Sequence, residues 1–365
     1  MKHSGIMKRT ILCAAFLLAC LSVEQKTAYA GAEETMCRAF IEQKLQSGGG
    51  VFTNYLPSQG IKEWATGHDV LSESQGLLLT YYVRAGNADM AAKTIDFVKS
   101  RMDTGSILSY RLDESGRVSP SNAAVDDLRL IGAMLEAAEI FRQPSYRDQA
   151  LYYAGRLYGT NVRGDMLADF YDDLMKMAGS DATLCYADLH TMQALSGLDG
   201  RWQAVMENMR GILQNGYLGD AFPMFHKAYN MGQKNYQSQN VPMVESLLTA
   251  YHLSRVGSCP KQTIAYLKKA LQSGKLYAVY DFDGNPLSET ESTAIYALCA
   301  LLGASEDDAD LYKSAVDHML PFQVTEPNSQ VYGAFADAQT LQAYSFDNLM
   351  ALLALQAGNA FPVNP

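Results

Sequence analysis

AVDDLRLIGAMLEAA, residues 124–138, opens with two acids and then runs through apolar and small side chains almost without interruption. A helix of that composition has no polar face to turn to water, so it belongs in an interior. TESTAIYALCALL (290–302) has the same form. ADMAAKTIDFVKSRM (88–102) has the opposite one, with charges on one face and apolar residues at helical spacing on the other. That pattern suits an outer position.

Outward from these stretches, helical periodicity with short polar breaks covers the chain. It predicts twelve helices, near 34–46, 73–86, 88–102, 125–141, 146–159, 184–197, 201–215, 242–256, 261–273, 290–303, 307–320 and 345–357. The two kinds alternate. The acids that open the buried kind are Glu73, Asp126, Asp188, Glu245, Glu291 and Asp347, spaced 46 to 62 residues apart. Each interval holds one outer and one inner helix. Six inner and six outer helices in alternation describe an all-α fold, an (α/α)6 barrel. The repeats share no sequence identity, so the period is architectural. No linker or charge run divides residues 31–365, which predicts one domain.

The chain has 365 residues, 48% apolar and 19% charged, which excludes a disordered protein. A formal charge of −10 argues against a nucleic-acid partner. Lys2, Lys8 and Arg9 precede an apolar run from Ile11 to Val23, too short for a span and typical of a signal peptide. Two processing sites fit: cleavage after Ala30, or a lipobox-like Leu17-Leu18-Ala19-Cys20 that leaves a lipidated Cys20 as a membrane tether. Either way the expected location is extracytoplasmic, secreted or lipid-anchored, and the expected state a monomer. Cys37, Cys185, Cys259 and Cys299 form no CxxC pair and are expected as free thiols. No metal-ligand spacing or cofactor-binding loop is present, so neither a metal nor a cofactor is expected.

The longer connections lead into the inner helices and should gather at one rim. They are rich in rings, among them Trp64, Tyr110, Phe222, Tyr236, Tyr280, Phe282 and Tyr332. Aromatic faces with polar tips suit a groove for sugar rings. Two acidic segments enter the same rim. Ser72 and Gln75 have capping-box spacing, which puts Glu73 at the first helical position. Asn122 is a plausible cap for the next inner helix, with Asp126 and Asp127 in its first turn and Arg129 able to pair with one of them.

These segments, Ser72-Glu73-Ser74-Gln75-Gly76 and Ala124 to Gly132, resemble glycoside hydrolase family 8, the (α/α)6 endoglucanases, chitosanases and xylanases. The variant is most similar to the branch linked to bacterial exopolysaccharide operons. The resemblance implies that Glu73 protonates the leaving oxygen and that Asp126 holds the sugar before the scissile bond. Val125, Asp127, Leu128 and Gly132 depart from the family pattern. A third family segment, Tyr-Asp-Ala-x-Arg, carries the general base. Its counterpart is Tyr236-Gln237-Ser238-Gln239-Asn240, with Gln237 in place of the base. Tyr236, Trp64, Gln237 and Asp127 are then expected on the substrate, and Asp220 and Glu245 are the alternative bases nearby. Asp281, Asp283 and Glu289 enter the same rim.

The resemblance thus implies a secreted or anchored endo-glycosidase on a β-linked polysaccharide, working by inversion. Two other readings stay open: a glycan-binding protein on the same scaffold, disabled by Gln237, and a polysaccharide lyase. An acidic protein is poorly matched to the acidic polymers that lyases cut.

Overall fold

The computed structural model describes residues 31–58 and 65–361. Both processing sites, Cys20 and Trp64 lie outside the described residues. Twelve α-helices are present among them: α1 (Gly31–Lys44), α2 (Ser72–Arg84), α3 (Ala88–Phe97), α4 (Ala124–Ile140), α5 (Pro144–Asn161), α6 (Leu189–Leu198), α7 (Trp202–Asn215), α8 (Met243–Ser254), α9 (Lys261–Ser273), α10 (Thr293–Ser305), α11 (Ala309–Met319) and α12 (Ser345–Ala357).

The even-numbered helices through α12 pack in sequence, α2 on α4, α4 on α6, α6 on α8, α8 on α10 and α10 on α12, and α12 returns to α2. That closes an inner ring. The odd-numbered helices lie outside it, and α1 packs on α12. The fold is an (α/α)6 barrel. Burial follows composition: α10 buries every residue from Thr293 to Gly303, whereas α3 buries only Ala91, Thr94, Ile95 and Phe97. Residues interior on all sides contribute roughly 1.5–3 kcal/mol each when they are Leu, Ile or Met, so the ring's stability is concentrated in these helices.

The loops that enter the inner helices are stitched to one another around a single rim. Val70–Leu71 pairs with Arg111–Leu112, Asp181–Thr183 with Ala228–Asn230, and Val241–Pro242 with Val279–Tyr280. Isolated bridges join Ser121 to Asp172 and Asn54 to Tyr344. Among the described residues no helix is long and apolar enough to cross a membrane. The four described cysteines are free thiols.

One inner helix departs from its expected span. Residues 184–197 read as a continuous helix, but Leu184–Tyr186 forms a 3-10 turn and α6 begins only at Leu189. Asp188 is its N-cap: the carboxylate accepts from Thr191 N (3.2 Å) and Thr191 Oγ1 (2.7 Å). A residue whose side chain competes for its own helix's first N–H groups ends the preceding turn. This cap also explains Gly132. A Cβ there would lie 2.3 Å from Thr191 Oγ1, and that hydroxyl is committed to Asp188. Gly132→Ala is therefore expected to destabilise the fold by about 1–3 kcal/mol from overpacking. That exceeds the ~1 kcal/mol alanine gains in helix propensity. Thermal unfolding checks it, and adding Thr191→Ala should recover part of the loss.

Candidate active site

The first turns of α2 and α4 bring Glu73 and Asp126 to the rim end of the barrel. The spacing of Ser72 and Gln75 suggested a capping box, but neither side chain caps α2. Gln75 Nε2 donates to the Gly49 carbonyl (3.1 Å). Ser72 Oγ donates to Asp126 Oδ2 (2.8 Å), and Arg129 Nη1 donates to Asp126 Oδ1 (3.0 Å). The motif serine thus ties the two acidic segments together across neighbouring inner helices.

A cavity of about 390 Å³ opens above this pair. Glu73, Asp126, Arg129 and Glu245 line it, with Leu71, Val125, Tyr110, Tyr186 and Phe346 among its apolar and aromatic walls. Burial pushes the Glu73 carboxyl up to about 7, helped by the charges of Asp126 and Asp347 and opposed by Arg129. Burial also raises Asp126, but Arg129, Ser72 and the Glu73 N–H all stabilise its anion. Of such a pair, the carboxylate with more donors on its anion holds the charge better, and the other holds its proton to higher pH. Asp126 has those donors, and Glu73 is the carboxyl pushed up into the neutral range. Asp126→Asn removes a like charge, so the Glu73 pKa is expected to fall; carboxyl ¹³C titration reads the shift, and an unchanged value would contradict the coupling.

Asp347, in the first turn of α12, is the carboxylate on the other side of Glu73. Its Oδ1 accepts from Ser292 Oγ and Ala294 N (both 3.0 Å), and burial raises its pKa. Sequence reading placed it in the series of inner-helix acids but not in the site. That series was the available signal.

Other expected residues lie elsewhere. Asp127, expected on the substrate, points away from the cavity. Successive helical residues project about 100° apart, so only one of the two acids faces the centre. Its Oδ2 accepts from Asn122 Nδ2 (2.7 Å), and burial holds its pKa well up. Asn122 does not cap α4. It bridges Asp127, Asn161 and Tyr171 N instead.

Tyr236 and Gln237 are also outside the cavity lining. They sit on the strand Asn235–Gln237, paired with Ala228–Asn230, where alternate side chains face opposite ways. Tyr236 turns inward, donates to the Ile212 carbonyl (2.7 Å) and stacks on His226 (5.1 Å between centroids). Gln237 is exposed and donates to Gln233 Oε1 (3.2 Å). Asp220 is exposed too, accepts from Tyr217 Oη (2.9 Å), and lines a different groove. Of the alternative bases, Glu245 is the one in the cavity; Lys227 Nζ lies 3.6 Å from its carboxylate.

A double ring of helices with a carboxylate-lined cavity at its mouth is a glycosidase-like fold. No family model matches the chain. A solved structure described as a novel α-amylase from Clostridium perfringens shares 33% identity, covers 89% of this chain and 97% of its own, and superposes with a TM-score of 0.84. Endoglucanase Cel10, a family 8 glycosyl hydrolase from Klebsiella pneumoniae, has a TM-score of 0.62 at 13% identity, covering 88% of this chain and 99% of its own. A Bacillus subtilis (strain 168) protein named "Putative lipoprotein YdaJ" is 24% identical over 311 residues, 83% of this chain and 84% of that one. The chain has the fold of the family 8 glycosyl hydrolases.

Proposed function

We propose that this protein is an extracytoplasmic, endo-acting glycoside hydrolase that cuts a β-linked polysaccharide of the bacterial exopolysaccharide class with inversion at the anomeric carbon. The observation that carries the reading is Glu73, raised to about 7 beside an Asp126 fixed by Ser72 and Arg129 in one rim cavity. Glu73 donates its proton to the glycosidic oxygen. Asp126 accepts hydrogen bonds from the sugar on the non-reducing side of the bond. Glu245, across the cavity, takes the proton from the attacking water. Water and leaving group are then on opposite faces, which inverts the anomeric carbon. The name of the Bacillus subtilis relative supports a lipid-anchored location.

A second reading, an α-linked glucan as substrate, is favoured by the similarity to the structure described as an α-amylase. One experiment tests both. Mature protein is incubated with hydroxyethyl cellulose, xylan, chitosan, soluble starch and exopolysaccharide from the producing cells. New reducing ends from a β-linked polymer support the first reading; from starch alone, the second. Binding without cleavage of any polymer would make the chain a glycan-binding protein and overturn both.

A further inference from the structure

A second groove on this face of the molecule takes no part in that chemistry. About 650 Å³ in volume, it runs along the outer helix α9 and reaches the rim at Tyr277, Tyr280 and Pro286. Ala265 and Ala270 keep its floor low. Tyr266 and Tyr277 are half-buried in it. Their positions are fixed from behind. Tyr266 meets Phe222 edge-on (5.7 Å, 75°), and Phe222 packs on Tyr280 (5.5 Å). Tyr280 Oη accepts from Tyr277 N (2.9 Å). Exposed Asp220, Gln262 and Lys269 stand around these rings with acceptors and donors.

We infer that this groove is a second polysaccharide-binding site. Sugar rings pack on Tyr266 and Tyr277, and their hydroxyls bond to Asp220, Gln262 and Lys269. Two features select this occupant. A pyranose has an apolar face and a perimeter of hydroxyls; immobilised tyrosines ringed by donors and acceptors present the complement. A protein partner would call for a more apolar centre. Position is the second feature. Tyr280 ends the strand that pairs with Val241–Pro242, the residues immediately before α8 and Glu245. One strand pair thus joins the rim end of the groove to the loop that delivers Glu245 to the cavity. Holding the chain at two places raises the effective concentration of substrate at the cavity without adding a contact there.

The identity of the polymer rests on the hydrolase reading; the site itself does not. The test uses the full mature chain carrying Glu73→Gln, run in native gels cast with hydroxyethyl cellulose, xylan, chitosan or soluble starch. Retardation is expected in at least one gel. Adding Tyr266→Ala and Tyr277→Ala should weaken apparent affinity between about twofold and tenfold per ring. In the otherwise wild-type enzyme the same pair should raise KM for polymer and leave kcat on tri- to hexasaccharides unchanged. Tm within a few degrees of the parent excludes a folding defect. If unfolding is seen, Asp220→Asn with Gln262→Ala replaces the pair under the same criteria. Equal retardation of parent and variant, or no retardation in any gel, would overturn the site. Retardation without hydrolysis by wild type would instead sink the hydrolase reading and leave the site standing.

Discussion

Glu73→Gln should remove between about 10² and 10⁴ of the hydrolytic rate, the usual contribution of a placed general acid. The amide keeps the shape of the side chain and cannot donate a carboxyl proton. In free energy that is about 3–5 kcal/mol of transition-state stabilisation. KM for polymer should change little, because the groove walls remain. The wild-type pH profile carries the same information. On the proposed mechanism the reacting form is protonated Glu73, so kcat/KM should fall as pH rises through about 7, the position to which burial and the Asp126 charge move this carboxyl. Stability gives an independent check. A carboxyl raised from 4.5 to about 7 binds its proton more tightly in the folded chain. What it contributes is fully present below pH 4.5 and is lost as pH climbs through 7. Glu73→Gln has no such loss. Its stability advantage over wild type should grow across that window, on the order of 1–3 kcal/mol, and stay flat above it. Parallel melting curves from pH 4 to 9 would refute the raised carboxyl, and an active Glu73→Gln would refute the assigned acid.

The barrel was readable because burial on all sides leaves a compositional mark. Residues 293–303 could hardly be placed anywhere but inside a ring, and the polar face of 88–97 excluded that place. The start of α6 was not readable. Leu184-Cys185-Tyr186 has the same apolar character as a helical turn, and only the competition of Asp188 for Thr191 N breaks it. In the site, the acids at the openings of α2 and α4 stood out as charges entering apolar helices. Which acid of Asp126 and Asp127 faces the cavity depends on a rotation that Asn122 settles from a loop, outside any local pattern. Tyr236-Gln237 misled for a similar reason. Its strand is defined by a partner at 228–230, and without that pairing the alternation of inward Tyr236 and outward Gln237 is invisible. Gln237, where the resemblance puts the base, is exposed on that strand and does not line the cavity.

Glu245→Ala should then cost as much as loss of the acid, about 10²–10⁴ in kcat, and azide should restore turnover. The ring order supports this choice of base. α8 stands three places from α2 in a closed ring of six, directly across the barrel. Neighbouring axes lie roughly 8–10 Å apart, so opposite axes are roughly twice that distance. Both glutamates line the one cavity from opposite sides of the ring, the arrangement in which a water can stand between acid and base. Asp347 is less well placed for that role. It is on α12, next to α2, so it shares the acid's side of the sugar, and Ser292 and Ala294 hold its Oδ1. Asp347→Asn should lower the Glu73 pKa and spare most of kcat. Azide needs no base to attack, so in Glu245→Ala it should yield a glycosyl azide of inverted configuration. It should fail to rescue Glu73→Gln, where the leaving group still lacks a proton. A retained configuration in the azide product would overturn inversion, and a Glu245→Ala enzyme with wild-type kcat would place the base on another residue.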